Sequence, residues 1–180
     1  NTDYGKSKQQ AEELIRTSGL PYTTLCPPYI YGPYPRQGSS MDKLVYDVIS
    51  HKPYTRIPFP GEISEIYVED LADAIWHVAR HKAALNQTYF VSNPRPVTVE
   101  GFMRQIALSH GTKYKPYPIP PSLLPLMKLL AFKRFERDPL WRILFNPYFV
   151  CSSEKITNET GWRPKNGFES GIGKTVAWYQ

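Results

Sequence analysis

Tyr4-Gly5-Lys6-Ser7-Lys8 is the stretch on which the reading of this chain turns. It sets a phenol and an ammonium four residues apart. The residues that follow continue as a helix to about residue 18, with Ala11, Leu14 and Ile15 at helical spacing and Ser18-Gly19 as a stop. On a helix, Tyr4 and Lys8 share one face, one turn apart. A free phenol ionises only near pH ~10, and a neighbouring cation favours its charged form. Such a pair is suited to moving a proton to or from a substrate oxygen. Alone, the spacing also fits an exposed helix pair with no chemistry, because 13 tyrosines and 22 basic residues make coincidence easy.

Working outward, strands alternate with helices, which is the pattern of an α/β fold. Strands are expected at Tyr22–Cys26, Glu65–Val68 and Thr88–Val91. Residues 27–38, rich in Pro, Tyr and Gly, read as a loop. Helices are expected over residues 40–50 and 69–81, from Thr98 onward with Thr98 as N-cap, over 121–135 with a break at Pro125, up to Gly161 with Ser152 or Ser153 as cap, and over 169–179. Residues 114–119 read as extended. Asp70 reads as a carboxylate serving the free N–H groups at the start of its own helix.

The pair lies in a series of motifs. Gly19-Leu20-Pro21 and a strand ending at Pro27 follow it. Then come Tyr29-Ile30-Tyr31-Gly32-Pro33, Tyr67-Val68-Glu69-Asp70-Leu71-Ala72, Gly161-Trp162-Arg163-Pro164 and Thr175-Val176-Ala177-Trp178. In this order, over almost the whole chain, they resemble the extended short-chain dehydrogenase/reductase family, the NAD-dependent epimerases and dehydratases. The resemblance implies the C-terminal part of a Rossmann-like NAD(P)-binding fold (about residues 1–30 and 65–92), interleaved with a small mixed α/β substrate domain (about 31–64 and 93–180). It implies Tyr4 and Lys8 as the catalytic residues, Tyr4 as acid–base and Lys8 as the ligand of the nicotinamide ribose. Backbone groups at Pro27, Pro28, Tyr29 and Ile30 would meet the nicotinamide, so the implied cofactor is NAD or NADP.

The family holds its pyrophosphate on a Gly-rich turn. No Gly-x-Gly-x-x-Gly or Gly-x-x-Gly-x-x-Gly occurs in the 180 residues. The expectation is a fragment that neither binds dinucleotide tightly nor turns over alone, the activity belonging to an intact parent. Gly171-Ile172-Gly173-Lys174-Thr175 imitates the end of a phosphate-binding P-loop, but Phe168 stands where that motif needs Gly. It reads as the first turn of the last helix.

Two substrate classes compete. Sugar-nucleotide members of the family carry Arg-Pro-x-Asn before the Tyr-Gly-Pro loop and an Arg ahead of the Val-x-Asp turn. Here Cys26, Tyr29 and Ile63 occupy those places. That favours a small, hydrophobic alcohol or ketone, as in the 3β-hydroxysteroid and dihydroflavonol branch, with a nucleotide-sugar epimerase or dehydratase as the alternative. A non-catalytic binding protein of the same fold is the third reading. Leu123, Leu124, Leu126, Met127, Leu129, Leu130 and Phe132, with Lys128, Lys133 and Arg134, could cap an apolar cleft, lie on a lipid surface or form a core helix.

The bulk numbers exclude less. Two cysteines among 180 residues are too few for a disulfide framework, and no basic–apolar leader opens the chain, so a cytoplasmic protein is expected. His77 and His81 lie four apart with no third ligand in view, so no metal is expected. A net charge of +6 would suit anions, but no basic run interleaves with aromatics, so no nucleic-acid partner is expected. Membrane association is a weak expectation, and a homodimer is possible through apolar surface left uncovered.

Overall fold

The computed structural model describes residues 3–130, 138–145 and 148–180. The first helix, α1 (Asp3–Thr17), leads into β1 (Thr23–Cys26), which pairs in parallel with β5 (Gln87–Phe90), Thr24 opposite Thr88. Past the Pro27-Pro28 kink the chain resumes as β2 (Tyr29–Tyr31), parallel to β4 (Glu65–Tyr67). The expected loop over 27–38 therefore contains a strand. Three residues are too few to show alternation, and the flanking prolines masked it. Two further two-residue strands, β3 (Glu62–Ile63) and β6 (Val97–Thr98), pair antiparallel.

Helices pack around these strands as two apolar clusters. One gathers Ile66, Ala74, Val78, Tyr89, Val91, Ile156 and Trp162 between α3 (Val68–Val78), β5 and α7 (Glu154–Thr160). The other is built by α2 (Ser40–Ile49), α4 (Val99–Ser109) and α8 (Phe168–Trp178) around Tyr31, Phe59 and Ile63. The helical period makes these faces. Met41, Leu44, Val45 and Val48 of α2 are buried, as are Phe102, Met103 and Ile106 of α4, each contributing roughly 1.5–3 kcal/mol. Ser39 and Thr98 cap α2 and α4, accepting from Asp42 N and Gly101 N.

Three expectations change. The apolar segment from Pro121 is a 3₁₀ turn, Pro121–Leu123, followed by α5 (Leu124–Leu130). Pro125 sits in the first turn of α5, where its missing N–H costs nothing, and does not break it. Residues 131–135 of that expectation lie outside the described residues. Of α5 only Leu124 is buried, while Leu126, Leu129 and Leu130 are exposed, so this is not a core helix. An unexpected helix, α6 (Pro139–Phe145), buries Leu140, Trp141, Ile143 and Leu144 instead. At α7, Ser153 holds the cap position, yet its hydroxyl donates to Ser92 O, and Ser152 Oγ accepts from Glu154 N. Among the described residues no helix is long and apolar enough to cross a membrane.

Candidate active site

Tyr4 and Lys8 occupy the first turns of α1, with the Lys8 ammonium 5.4 Å from the centre of the Tyr4 ring. Both are exposed, Tyr4 to 73%, and α1 buries none of its side chains. The helix is nonetheless positioned. Five residues connect it to β1, so it runs back along the strand. Its Glu12 carboxylate accepts from Thr88 Oγ1 at 3.5 Å. Burial pushes the Cys26 thiol up, and Glu12 adds to that rise. Eight residues at roughly 1.5 Å each carry Tyr4 about 12 Å further, beyond the carboxyl end of the strand. The Pro27–Ile30 segment leaves β1 at that same end. Ligands of open α/β sheets collect at the carboxyl ends of the strands.

Pro27, Pro28 and Tyr29 are half-buried and Ile30 is more open. The two prolines have no N–H, and Tyr29 N donates to Ser64 O at 3.5 Å. The segment therefore presents itself to a ligand chiefly through carbonyl acceptors, which suits a carboxamide NH₂. Gly32 then turns the chain at φ 151° against the start of α3. A Cβ there would lie 2.3 Å from Val68 Cγ1, so only glycine permits this approach. The Tyr-Gly-Pro loop is more than a turn: it is packed onto the Val-x-Asp element.

Under the loop lies a cavity of about 330 Å³, lined among others by Ile30, Tyr34, Arg36, Ser39, Asp42 and Tyr179. Tyr34 holds the left-handed conformation at φ 55°, unusual for a side chain of that size. Asp42 is engaged by Tyr179 Oη at 2.7 Å and Gly38 N at 2.8 Å. Arg36 is the cation of this lining and forms no ion pair among the described residues. Sequence reasoning missed Arg36 because nothing local distinguishes it from other surface arginines.

Asp70 corrects the sequence reading. It is the third residue of α3 and fully buried, but it does not cap its own helix. Its carboxylate accepts from Lys165 N at 2.9 Å, Asn166 N at 3.2 Å and Asn166 Nδ2 at 3.0 Å. Trp162 Nε1 donates to Asp73 Oδ2 at 2.9 Å. The Val-x-Asp and Gly-Trp-Arg-Pro motifs are thus two halves of one clamp. A further buried group, Glu65, also went unnoticed. Asn93 Nδ2 donates to both its oxygens at 2.8 and 2.9 Å. Burial pushes this carboxyl up to about 7, and the Asn93 amide pulls the other way. Ile63, at the position where the resemblance places a phosphate-holding Arg in sugar-nucleotide members, is fully buried.

His77 Nε2 meets Thr160 O at 2.9 Å. Among the described residues no group of three or more His, Cys, Asp and Glu could hold a metal ion. The Gly171–Thr175 segment lies within α8, where a Cβ on Gly171 would come 2.6 Å from Tyr31 Oη, so Gly171 serves helix packing.

The sequence profile of the NAD dependent epimerase/dehydratase family matches residues 1–92, just over half of the 180. The chloroplast stem-loop binding protein of 41 kDa b from Arabidopsis thaliana is 26% identical over 93% of this chain and 42% of its own length. The dTDP-glucose 4,6-dehydratase of Shigella flexneri is 26% identical over 99% of this chain and 47% of its own. The chain thus spans less than half the length of these curated relatives. Among solved structures, a dTDP-glucose 4,6-dehydratase from Bacillus anthracis in complex with NAD superposes with a TM-score of 0.70 at 22% identity, over 99% of this chain and 52% of that one. The UDP-glucose 4-epimerase of Thermus thermophilus, also with NAD, gives 0.64 at 21% identity, over 96% and 50%. The fold is therefore the expected one, a mixed α/β portion of a Rossmann-like dinucleotide-binding architecture. By the family profile, the chain belongs to the NAD dependent epimerase/dehydratase family.

Proposed function

We propose that the intact protein is an NAD(P)-dependent epimerase or dehydratase of a nucleotide-bound sugar. The single observation that carries this is the reach of the similarity. The match to the Shigella flexneri dehydratase runs over 99% of the chain, through the segments around the cavity as well as the strands. The hydrophobic-substrate reading rested on Cys26, Tyr29 and Ile63, and it gives way here. With Ile63 buried, the phosphate partner is assigned to Arg36, whose guanidinium can hold a diphosphate in a bidentate fashion.

In this reading residues 1–30 and 65–92 form the cofactor side, and residues 31–64 and 93–180 the substrate side. The residues present suit the nicotinamide end of a dinucleotide. Carbonyls at Pro27 and Pro28 would receive the carboxamide, and Lys8 would receive the ribose hydroxyls. Bound there, the nicotinamide supplies hydride acceptance and return. Tyr4 takes the proton from the sugar hydroxyl as it is oxidised, at its own phenolic oxygen, and returns it on reduction. The Lys8 ammonium, held one turn away, stabilises the phenolate that Tyr4 must be before it takes the proton and becomes again once it has returned it. Fixing Tyr4 on a helix anchored at Glu12 removes the entropy of bringing acid–base and substrate together.

The test is a turnover screen of the full-length protein with NAD or NADP, offering dTDP-glucose, UDP-glucose and a steroid alcohol in parallel. Conversion of a nucleotide sugar is expected. Conversion of the steroid alcohol alone would return the hydrophobic reading to first place.

A further inference from the structure

The linear sequence interleaves no basic run with aromatics, but folding assembles such a surface. The second half of α3 carries Trp76 and His77, and Arg80 and His81 follow it. The Asp70 clamp lays the Gly161–Lys165 turn alongside, bringing Arg163 and Lys165. Together they enclose an open groove of about 530 Å³ that shares no lining residue with the cavity under the Tyr-Gly-Pro loop.

Three features define what the groove accepts. Trp76 is 64% exposed, and the Arg80 guanidinium lies over its ring at 4.8 Å from the centre. A large indole left in water beside a planar cation is a stacking platform. The only carboxylate of the lining, Asp73, is already taken by Lys165 Nζ and Trp162 Nε1. Arg80 and Arg163 pair with no carboxylate among the described residues, so the groove is positive. The His77 and His81 rings stack at 5.4 Å, and His81 Nδ1 is buried without a hydrogen-bond partner.

We propose that this groove binds single-stranded nucleic acid, with a base on Trp76 and phosphates on Arg80 and Arg163. Rings and cations line it in place of aliphatic side chains, which favours a base–phosphate ligand over a lipid surface. An indole on a helix ridge needs an unstacked base, which a single strand offers and a duplex does not.

The test uses the full-length protein and fluorescein-labelled 12-nucleotide oligo(U), read by fluorescence anisotropy at low salt. Saturable binding is expected. Trp76→Ala should weaken it about tenfold or more, and Trp76→Phe, which keeps a ring, should retain most of it. Arg80→Ala with Arg163→Ala should weaken binding and flatten the plot of log K against log salt by about 1.4, for two phosphates released. Lys113→Ala, at an exposed residue outside the groove lining, should change little. No binding, or binding that survives both the Trp76 and the arginine variants, overturns the proposal. Capture by phosphatidylglycerol vesicles that depends on the same residues, and that oligo(U) does not displace, overturns it as well.

Discussion

Replacing Glu65 by Gln should stabilise the protein at neutral pH. Glu65 is fully buried, and Asn93 is its hydrogen-bond donor. Its carboxyl titrates at about 7 in the fold against an ordinary 4.5, because burial disfavours the charge more than the Asn93 amide supports it. The folded state therefore holds a proton that the unfolded chain releases between those values. Stability from this group is full below pH 4.5, falls as pH rises through 7, and is level above it. At about 1.4 kcal/mol per pKa unit, the interval comes to roughly 3 kcal/mol lost. Gln keeps the carbonyl that Asn93 bonds and carries no charge. The Tyr31 hydroxyl, buried beside Glu65, can accept from its amide. Glu65→Gln should match the wild type near pH 4.5 and exceed it by about 3 kcal/mol at pH 8, or by about 6–12 °C in Tm for a domain of this size. Urea unfolding followed by circular dichroism from pH 4.5 to 8 measures both. A difference that does not grow with pH, or a variant weaker at pH 8, refutes the reasoning.

Gly32→Ala should cost about 2–3 kcal/mol in urea unfolding, because its Cβ meets Val68 Cγ1 at 2.3 Å, and Val68→Ala in the same chain should recover part of it. Asp70→Asn leaves one acceptor for the donors of Lys165 and Asn166, and should cost about 2–3 kcal/mol while increasing proteolysis in the 161–167 segment. Lys8→Met in the full-length protein should raise KM for the dinucleotide and lower kcat, since one side chain serves both ribose and Tyr4. Arg36→Ala should raise KM for a nucleotide sugar about tenfold or more with little change in kcat, as expected for a lost phosphate contact that is uniform along the reaction.

The long amphipathic helices could be read directly. In α2 and α4 the apolar period is unbroken, and Ser39 and Thr98 mark their starts. The motif order gave the family. What escaped was short or distant. β2, β3 and β6 span two or three residues, too few for a period. Pro139-Leu140-Trp141-Arg142-Ile143-Leu144-Phe145 is apolar almost all round, so its helical period was blurred. Asp70 looked like a cap because its partners are more than 90 residues away. The same long range hid the groove between α3 and the Gly161–Lys165 turn. In the proposed reading, the preference for a hydrophobic substrate came from taking absent Arg and Asn residues as an absent phosphate site, before Arg36 could be seen in the cavity lining.

The central claim is that Tyr4 transfers the proton in a nucleotide-sugar reaction. Its most direct measurement is kcat for the full-length protein and its Tyr4→Phe variant, with the nucleotide sugar that turns over fastest. The account predicts a fall in kcat of about 100-fold or more, with KM within a few-fold of the wild type. A Tyr4→Phe variant that turns over at the wild-type rate would contradict it.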